Sequence, residues 1–165
     1  MLISELTLTD LMERLGIALL CGASVGLNRE LHHKAAGFKT FSLVAIGTAG
    51  ITIGVLSLTV GSSDSGDMSR VVQGVLTGIG FLGAGVIMRG PDSAHVTGLT
   101  TAASLWLVAG LGMLSGLGNF RLVWALLALA LVLLSAGQFV ESFASRWFAR
   151  WQDHRKNTGT EKNDL

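Results

Sequence analysis

The chain has 165 residues, 50% of them hydrophobic and only 14% charged, with a mean hydropathy of +0.57 and a net charge of +1. Soluble domains carry about 25% charged residues, so this composition excludes an ordinary soluble domain, and the near-neutral charge gives no footing for nucleic acid. The single cysteine, Cys21, excludes an internal disulfide or a cysteine-based metal cluster, and 22 glycines against one proline inside apolar runs are the usage of packed membrane helices.

A helix needs about 20 apolar residues to cross a bilayer. Five stretches approach that length: residues 11–27, 40–60, 71–88, 97–117 and 121–140. The pattern predicts an all-α polytopic bundle of about five transmembrane helices. Residues 1–142 would form the membrane domain, and 143–165 an amphipathic, basic cytoplasmic tail. With five spans, Arg29, Lys34, Lys39, Arg89, Arg146, Arg150, Arg155, Lys156 and Lys162 fall on one side and only Arg14, Arg70 and Arg121 on the other. The side rich in lysine and arginine is cytoplasmic by the positive-inside rule, which predicts N-out and C-in. Glu5 and Asp10 precede the first apolar run, which lacks the basic flank of a signal peptide.

In the first span, Glu13 and Arg14 sit in the opening turn, where both can snorkel to water. Ala18, Gly22 and Gly26 recur at i+4, and Glu30 continues the series with Arg29 beside it. Small residues at this spacing let helix backbones approach, so Arg29 and Glu30 are expected to face protein at the cytoplasmic end. The same pair also reads as a plain interfacial anchor.

Gly37-Phe38-Lys39-Thr40 opens the second span, which carries Gly47, Gly50 and Gly54. In the outer loop Asp67 stands three residues before Arg70, and Ser69 is placed to cap the third span. That span holds Gly74, Gly78 and Gly85 on one face and Gly80 and Gly83 on others, with Gln73 near the Gly80–Ala84 side. Contact on more than one side is expected, which makes the third span the predicted central helix. Gly78-x-Gly80-x-x-Gly83 also matches the dinucleotide fingerprint, but no strand precedes it and no acidic residue follows at the required distance.

The inner loop contains the only proline, Pro91, and the pairs Asp92/His95 and His32/His33 read as solvated turns rather than metal ligands. The fourth span opens with Gly98 and with Thr100 and Thr101, whose hydroxyls can bond to their own helix or to another. Gly98, Ala102, Trp106 and Gly110 follow at i+4, and Gly112 and Gly116 form another small pair. The fifth span is apolar all round and is expected to face lipid. Beyond it Phe143, Trp147 and Trp151, with Arg146 and Arg150 alongside, read as an interfacial anchor.

No span carries a carboxylate in its middle, and the chain has no His-Glu-x-x-His, no Walker loop and no nucleophile–histidine arrangement. The residues point away from an enzyme, and they call for no metal and no cofactor.

Three strings, in order, resemble the signatures of the MgtC/SapB membrane family. The first is Gly22-Ala23-Ser24-Val25-Gly26-Leu27-Asn28-Arg29-Glu30 with Lys34-Ala35-Ala36-Gly37-Phe38-Lys39-Thr40. The second is Asp67-Met68-Ser69-Arg70 with residues 77–87, and the third is residues 96–106. The resemblance runs from about residue 3 to 135. It implies a multi-pass protein of the bacterial inner membrane tied to magnesium limitation and, in some members, to virulence. The best-studied members restrain the F-type ATP synthase through membrane contacts. The chain departs from the pattern at Asn28, at Lys39 and at the spacing of Gln73 from Arg70. It also lacks room for the ACT-like regulatory domain that many members carry.

The leading expectation is a non-catalytic protein of ion homeostasis acting by helix–helix contact with a membrane machine. Its partners would be the lipid bilayer and either copies of itself or another membrane protein. The alternative is a small oligomeric ion or metabolite transporter or channel built on Arg29, Glu30, Arg70, Gln73, Arg89, Thr100 and Thr101. Arg29 and Glu30, with Arg89 near them, form the first candidate site, and Asp67 and Arg70 a separate outer pair. Gly22, Gly26, Gly74, Gly78, Gly80, Gly83, Gly85 and Gly98 are the expected packing glycines. A transporter should show a hydrated cavity reaching the polar set, whereas a contact protein should be dry and packed inside.

Overall fold

Thr7 opens the first helix. Its hydroxyl accepts from the Asp10 N–H (3.3 Å), and the Asp10 carboxylate accepts from the Thr7 N–H (3.1 Å), which closes a capping box. Helix α1 (Leu8–Leu31) then runs to a turn in which His33 donates to the Glu30 carbonyl (3.0 Å) and Lys34 to the Arg29 carbonyl (3.1 Å). This is a Schellman ending, with His33 at φ +51° in the left-handed position that glycine usually takes. The computed structural model describes residues 7–58, 66–89 and 96–137. Helix α2 (Phe38–Leu58) and α3 (Gly66–Val86) follow, then the two-residue strands β1 (Met88–Arg89) and β2 (Val96–Thr97), paired antiparallel with Met88 opposite Thr97. Helix α4 (Leu99–Gly116) and α5 (Phe120–Gly137) complete the order.

Four helices, α2 to α5, are long and apolar enough to cross a membrane. The fifth, α1, has charged residues near both ends (Asp10, Glu13 and Arg14; Arg29 and Glu30) around an uncharged middle. The chain is therefore helical and polytopic, as its sequence indicates. The third helix begins earlier than the residues suggest. Ser69 lies within α3, not at its cap.

Helices α1, α2 and α4 pack on one another, and α3 packs mainly on α4. Glycines set the spacing. A Cβ added at Gly22 would lie 2.5 Å from the Phe41 carbonyl oxygen, and one at Gly26 would lie 2.7 Å from the Phe38 Cα. A Cβ at Gly116 would lie 2.7 Å from the Ala49 carbonyl oxygen, and one at Gly112 would overlap the Ala45 carbonyl and the Thr48 hydroxyl. The backbones of α1 and α4 thus both touch that of α2. Around these crossings Ala18, Cys21, Val25, Phe41, Ala45 and Leu111 are fully buried. In lipid such burial gains little by transfer from water, so cohesion rests on close van der Waals packing and interhelical hydrogen bonds.

The central helix is therefore α4, and the expectation that α3 would be central is wrong. Over half (56%) of the residues in the α4 span are buried, against 11% in that of α3. Of the expected α3 packing glycines, Gly83 meets Ala102 of α4, its added Cβ 3.5 Å from that methyl. Gly74, Gly78, Gly80 and Gly85 have nothing within 4 Å. The reason is that α3 touches the bundle along one face only, the one carrying Ile79 and Gly83.

Gly98 has a different task. At φ +91° it turns β2 into α4, and a Cβ there would collide with the Val86 carbonyl, so only glycine fits. By compactness the chain divides after Leu129. In the first unit the opening of α5 buries Val123 and Leu127 and exposes Leu122 and Trp124. In the second, residues 130–137 are helical, with Val132 and Leu133 exposed. The predicted anchor at Phe143, Arg146, Trp147, Arg150 and Trp151 lies outside the described residues.

Candidate functional site

Arg29 continues the buried face of α1, one turn beyond Val25. Since Gly22 and Gly26 hold α1 against α2, this face is closed, and the arginine is carried inside the bundle at 4% exposure. Its Nη2 donates to the Thr101 Oγ1 at 2.9 Å, and Thr101 is itself 2% exposed. A charged donor makes this one of the stronger kinds of hydrogen bond, worth about 1.5–3 kcal/mol net. One turn along α4, Ser104 is also buried and donates to the Thr100 carbonyl at 2.7 Å.

Glu30 is adjacent in sequence but turns elsewhere. Its Oε2 accepts the Phe38 N–H at 2.8 Å, at the opening of α2, where a carboxylate both satisfies a free N–H and meets the positive end of the helix dipole. A Cβ at Gly37 would come 2.8 Å from that same oxygen, so the glycine makes room for the carboxylate. The expectation that both residues face protein holds for Arg29, which is buried and reaches α4; Glu30 is exposed, though its carboxylate bonds to the start of α2. They are not one paired site. Outside this loop an open cleft of about 660 Å³ is lined by Leu27, Glu30, Lys34, Phe38 and Lys39, among others.

The other members of the predicted set are dispersed. Thr100 is exposed at the start of α4. Arg70 and Gln73 are exposed on α3. Gly83 meets Ala102, and α3 and α4 run antiparallel, so Gln73 lies about 15 Å from that level at 1.5 Å per residue, towards the end of the bundle opposite Thr101. Arg89 lies in β1, and Asp67 in the first turn of α3. The placement of their side chains, and with it the Asp67–Arg70 outer pair, lies outside the described residues.

A second tie joins α1 to α4 at the far end. Arg14 donates through Nη1 to the Gly116 carbonyl at 2.5 Å, and Ser115, fully buried, donates to the Arg14 carbonyl at 2.7 Å. Its guanidinium lies against Gly118, whose φ of +76° closes the turn between α4 and α5. The sequence reading missed this contact and placed Arg14 at the interface. The available signal was Gly116, already paired with Gly112 by spacing, directly after a serine. At the surface of the same helix, the hydroxyl and N–H of Thr7 hold the Asp10 carboxyl below its ordinary value.

Among the described residues no group of three or more His, Cys, Asp or Glu side chains is arranged to hold a metal ion. Among the described residues the buried hydroxyls of Thr48, Thr52, Ser104 and Ser115 bond to helix carbonyls, as in Thr52 to Thr48 (2.8 Å), Thr101 accepts from Arg29, and the Ser42 hydroxyl has no partner. That set can join helices; it offers neither a nucleophile with a base nor a carboxylate for a cation.

The sequence profile of the MgtC family matches residues 15–143. The MgtC protein of Salmonella typhimurium strain LT2 is 42% identical over 129 residues, covering 78% of this chain and 52% of that protein. The SrpB protein of Synechococcus elongatus is 44% identical over 117 residues, 66% of this chain and 64% of its own length. The SapB protein of Bacillus subtilis is 35% identical over 136 residues, 80% of this chain and 58% of its own. The chain thus spans about half the length of the first of these relatives and under two thirds of the others. No solved structure matches it.

Proposed function

The chain belongs to the MgtC family, and from that premise we propose that it is a non-catalytic protein of the bacterial inner membrane, N-out and C-in. On this reading it serves magnesium or ion homeostasis, with a bearing on virulence, by helix contact with a membrane machine. The observation that carries this is the closed core. Where a permeation path would run, the α1, α2 and α4 backbones are in contact at Gly22, Gly26, Gly112 and Gly116. The buried cation Arg29 is hydrogen-bonded between helices. A conduit for a divalent cation needs oxygen ligands along a wet route; here the buried hydroxyls of Thr48, Thr52 and Ser104 are turned to their own helices, those of Thr101 and Ser115 are engaged between α1 and α4, and an arginine stands at one end. Family membership supports the magnesium connection, and the uncovered helix faces supply surfaces for a partner.

One observation favours the transporter reading instead. An ionisable residue inside a membrane bundle marks an ion pathway by default, and Arg29 is such a residue. The test is flux of magnesium and protons into liposomes holding the folded protein, compared with its Thr101→Val variant. Absence of flux in both supports contact regulation. Flux that Thr101→Val alters overturns it and makes the Arg29–Thr101 pair part of a path.

A further inference from the structure

Where α1 hands over to α2, the chain forms a cleft rather than a plain turn. Helix α2 begins a membrane-spanning stretch at Phe38, so the cleft stands at the depth where hydrocarbon gives way to water. Its volume is about 660 Å³, in the range of small-molecule sites. Leu27 and Phe38 give it an apolar wall, and both remain exposed. Lys34, Lys39 and Thr40 add two ammonium groups and a hydroxyl.

The frame of the cleft is formed by the protein itself. The Lys34 N–H donates to the Arg29 carbonyl (3.1 Å) and closes the turn, and Ala36 beyond it is buried. Glu30 is the one acid in the lining, and its Oε2 is committed to the Phe38 N–H at 2.8 Å. The two ammonium groups and the Thr40 hydroxyl, by contrast, make no hydrogen bond or ion pair among the described residues. The lining therefore carries one positive charge in excess, with its cationic donors uncommitted and its carboxylate already engaged.

We infer that this cleft binds the headgroup of an anionic phospholipid. The phosphate accepts from Lys34, Lys39 and the Thr40 hydroxyl, while the glycerol and first acyl carbons lie on Leu27 and Phe38. Exposed lysines alone would be a solvated surface. These two share a formed cleft with an apolar wall at the membrane boundary, and that combination selects the occupant. A soluble phosphate leaves the apolar wall bare, and a zwitterionic lipid brings its own cation towards two lysines. An anionic lipid satisfies both parts of the lining. The inference rests on the membrane placement of α2 and not on the machine-contact reading.

The test is native mass spectrometry of the whole chain released from detergent micelles. Phosphatidylglycerol, phosphatidylcholine or inorganic phosphate is added in separate samples at equal concentration. The expected result is a retained adduct of one phosphatidylglycerol per chain, with far less of the other two. A lysine near an anionic lipid surface contributes about fivefold in affinity. Lys34→Gln or Lys39→Gln should thus weaken the adduct about fivefold, and the two together about 30-fold. Arg121→Gln removes a charge at an exposed position at the start of α5 and should leave the adduct unchanged. Equal retention of the two lipids, or phosphate held as firmly as lipid, would overturn the inference. So would an adduct that survives loss of both lysines, or one that Arg121→Gln weakens as much as a lysine change does, since net charge and not the cleft would then draw the lipid. Both lysines are exposed, and the lipid preference of the parent chain is read without any variant. None of these outcomes bears on the flux measurement, so the two readings fail separately.

Discussion

Helices α3 and α4 are neighbours in sequence, similar in length and both rich in glycine, with six glycines in α3 and three in α4. The bundle uses them in opposite ways. In α4, Gly112 and Gly116 are pressed against the α2 backbone, and Leu105, Val108, Ala109 and Leu111 fill the space around them. In α3 one glycine of the predicted set meets a neighbour at van der Waals distance, and the others open outward. Glycine content marks where a helix can be approached. It does not say whether the approaching helix is in the same chain.

This contrast can be broken most directly at Gly112. A leucine there must displace the Ala45 carbonyl and the Thr48 hydroxyl, both on a packed helix. Overpacking of this kind costs about 1–3 kcal/mol and occasionally more, and backbone overlap puts Gly112→Leu at the upper end. The matching change Gly78→Leu meets open space and exchanges a poor helix former for a good one, so it should stabilise the protomer by roughly 0.5–1 kcal/mol. Unfolding of the two variants in detergent should separate them by several degrees in opposite directions. Equal losses would mean that α3 is covered within the protomer after all.

Which parts of this contrast were legible in sequence follows from what a one-dimensional pattern records. The apolar runs fixed the number and approximate bounds of the helices, because bilayer thickness demands them. The stripe Ala18–Gly22–Gly26 predicted a close crossing of α1, and the backbone of α2 is there. The burial of Arg29 was legible from its place one turn past that stripe. The rank of α3 was not. Small residues on several faces look alike in sequence whether the neighbours are intramolecular or not, and α4 hides its role behind a composition of Leu, Ala and Ser. The divergence of Arg29 and Glu30 was equally hidden, since it depends on where α2 begins relative to α1. Gln73 and Arg70, grouped with Arg29 for their polarity, lie at the other end because α3 and α4 run antiparallel.

The next effects concern what enters and holds α4. Gly98→Ala forces a Cβ into the left-handed region, which costs roughly 1–2 kcal/mol, and adds overlap with the Val86 carbonyl. It should lower the melting temperature and loosen the α3–α4 connection, read as faster amide exchange around β1 and β2. Thr101→Val keeps the shape and removes one acceptor of Arg29, for a loss of about 1.5–3 kcal/mol. Thr100→Val, one residue away and exposed, should be within about 0.5 kcal/mol of the parent. If Thr100→Val proved the more costly, the polar surface at this end would matter more than the interior tie. Ser115→Ala removes the bond to the Arg14 carbonyl and should cost about 1 kcal/mol.

The smallest effect lies where packing has no part. Asp10 is half-buried at the opening of α1, and its carboxyl is held below the ordinary value by hydrogen bonds from the Thr7 hydroxyl and N–H, with help from the nearby Arg14 charge. A group whose folded pKa is depressed contributes stability above its unfolded value, and that contribution is lost as pH falls through the lower folded one. Acidification below the usual carboxylate range should therefore fray the first turn of α1, seen as faster amide exchange at residues 8–11, and Asp10→Asn should remove that pH dependence. Because Arg14 and Ser115 fasten the helix one turn further in, the fraying should stop there. Loss of the α1–α4 contact at the same pH would show that the cap and the tie form one cooperative unit, and that packing reaches the surface at this end of α1 as it fails to do along α3.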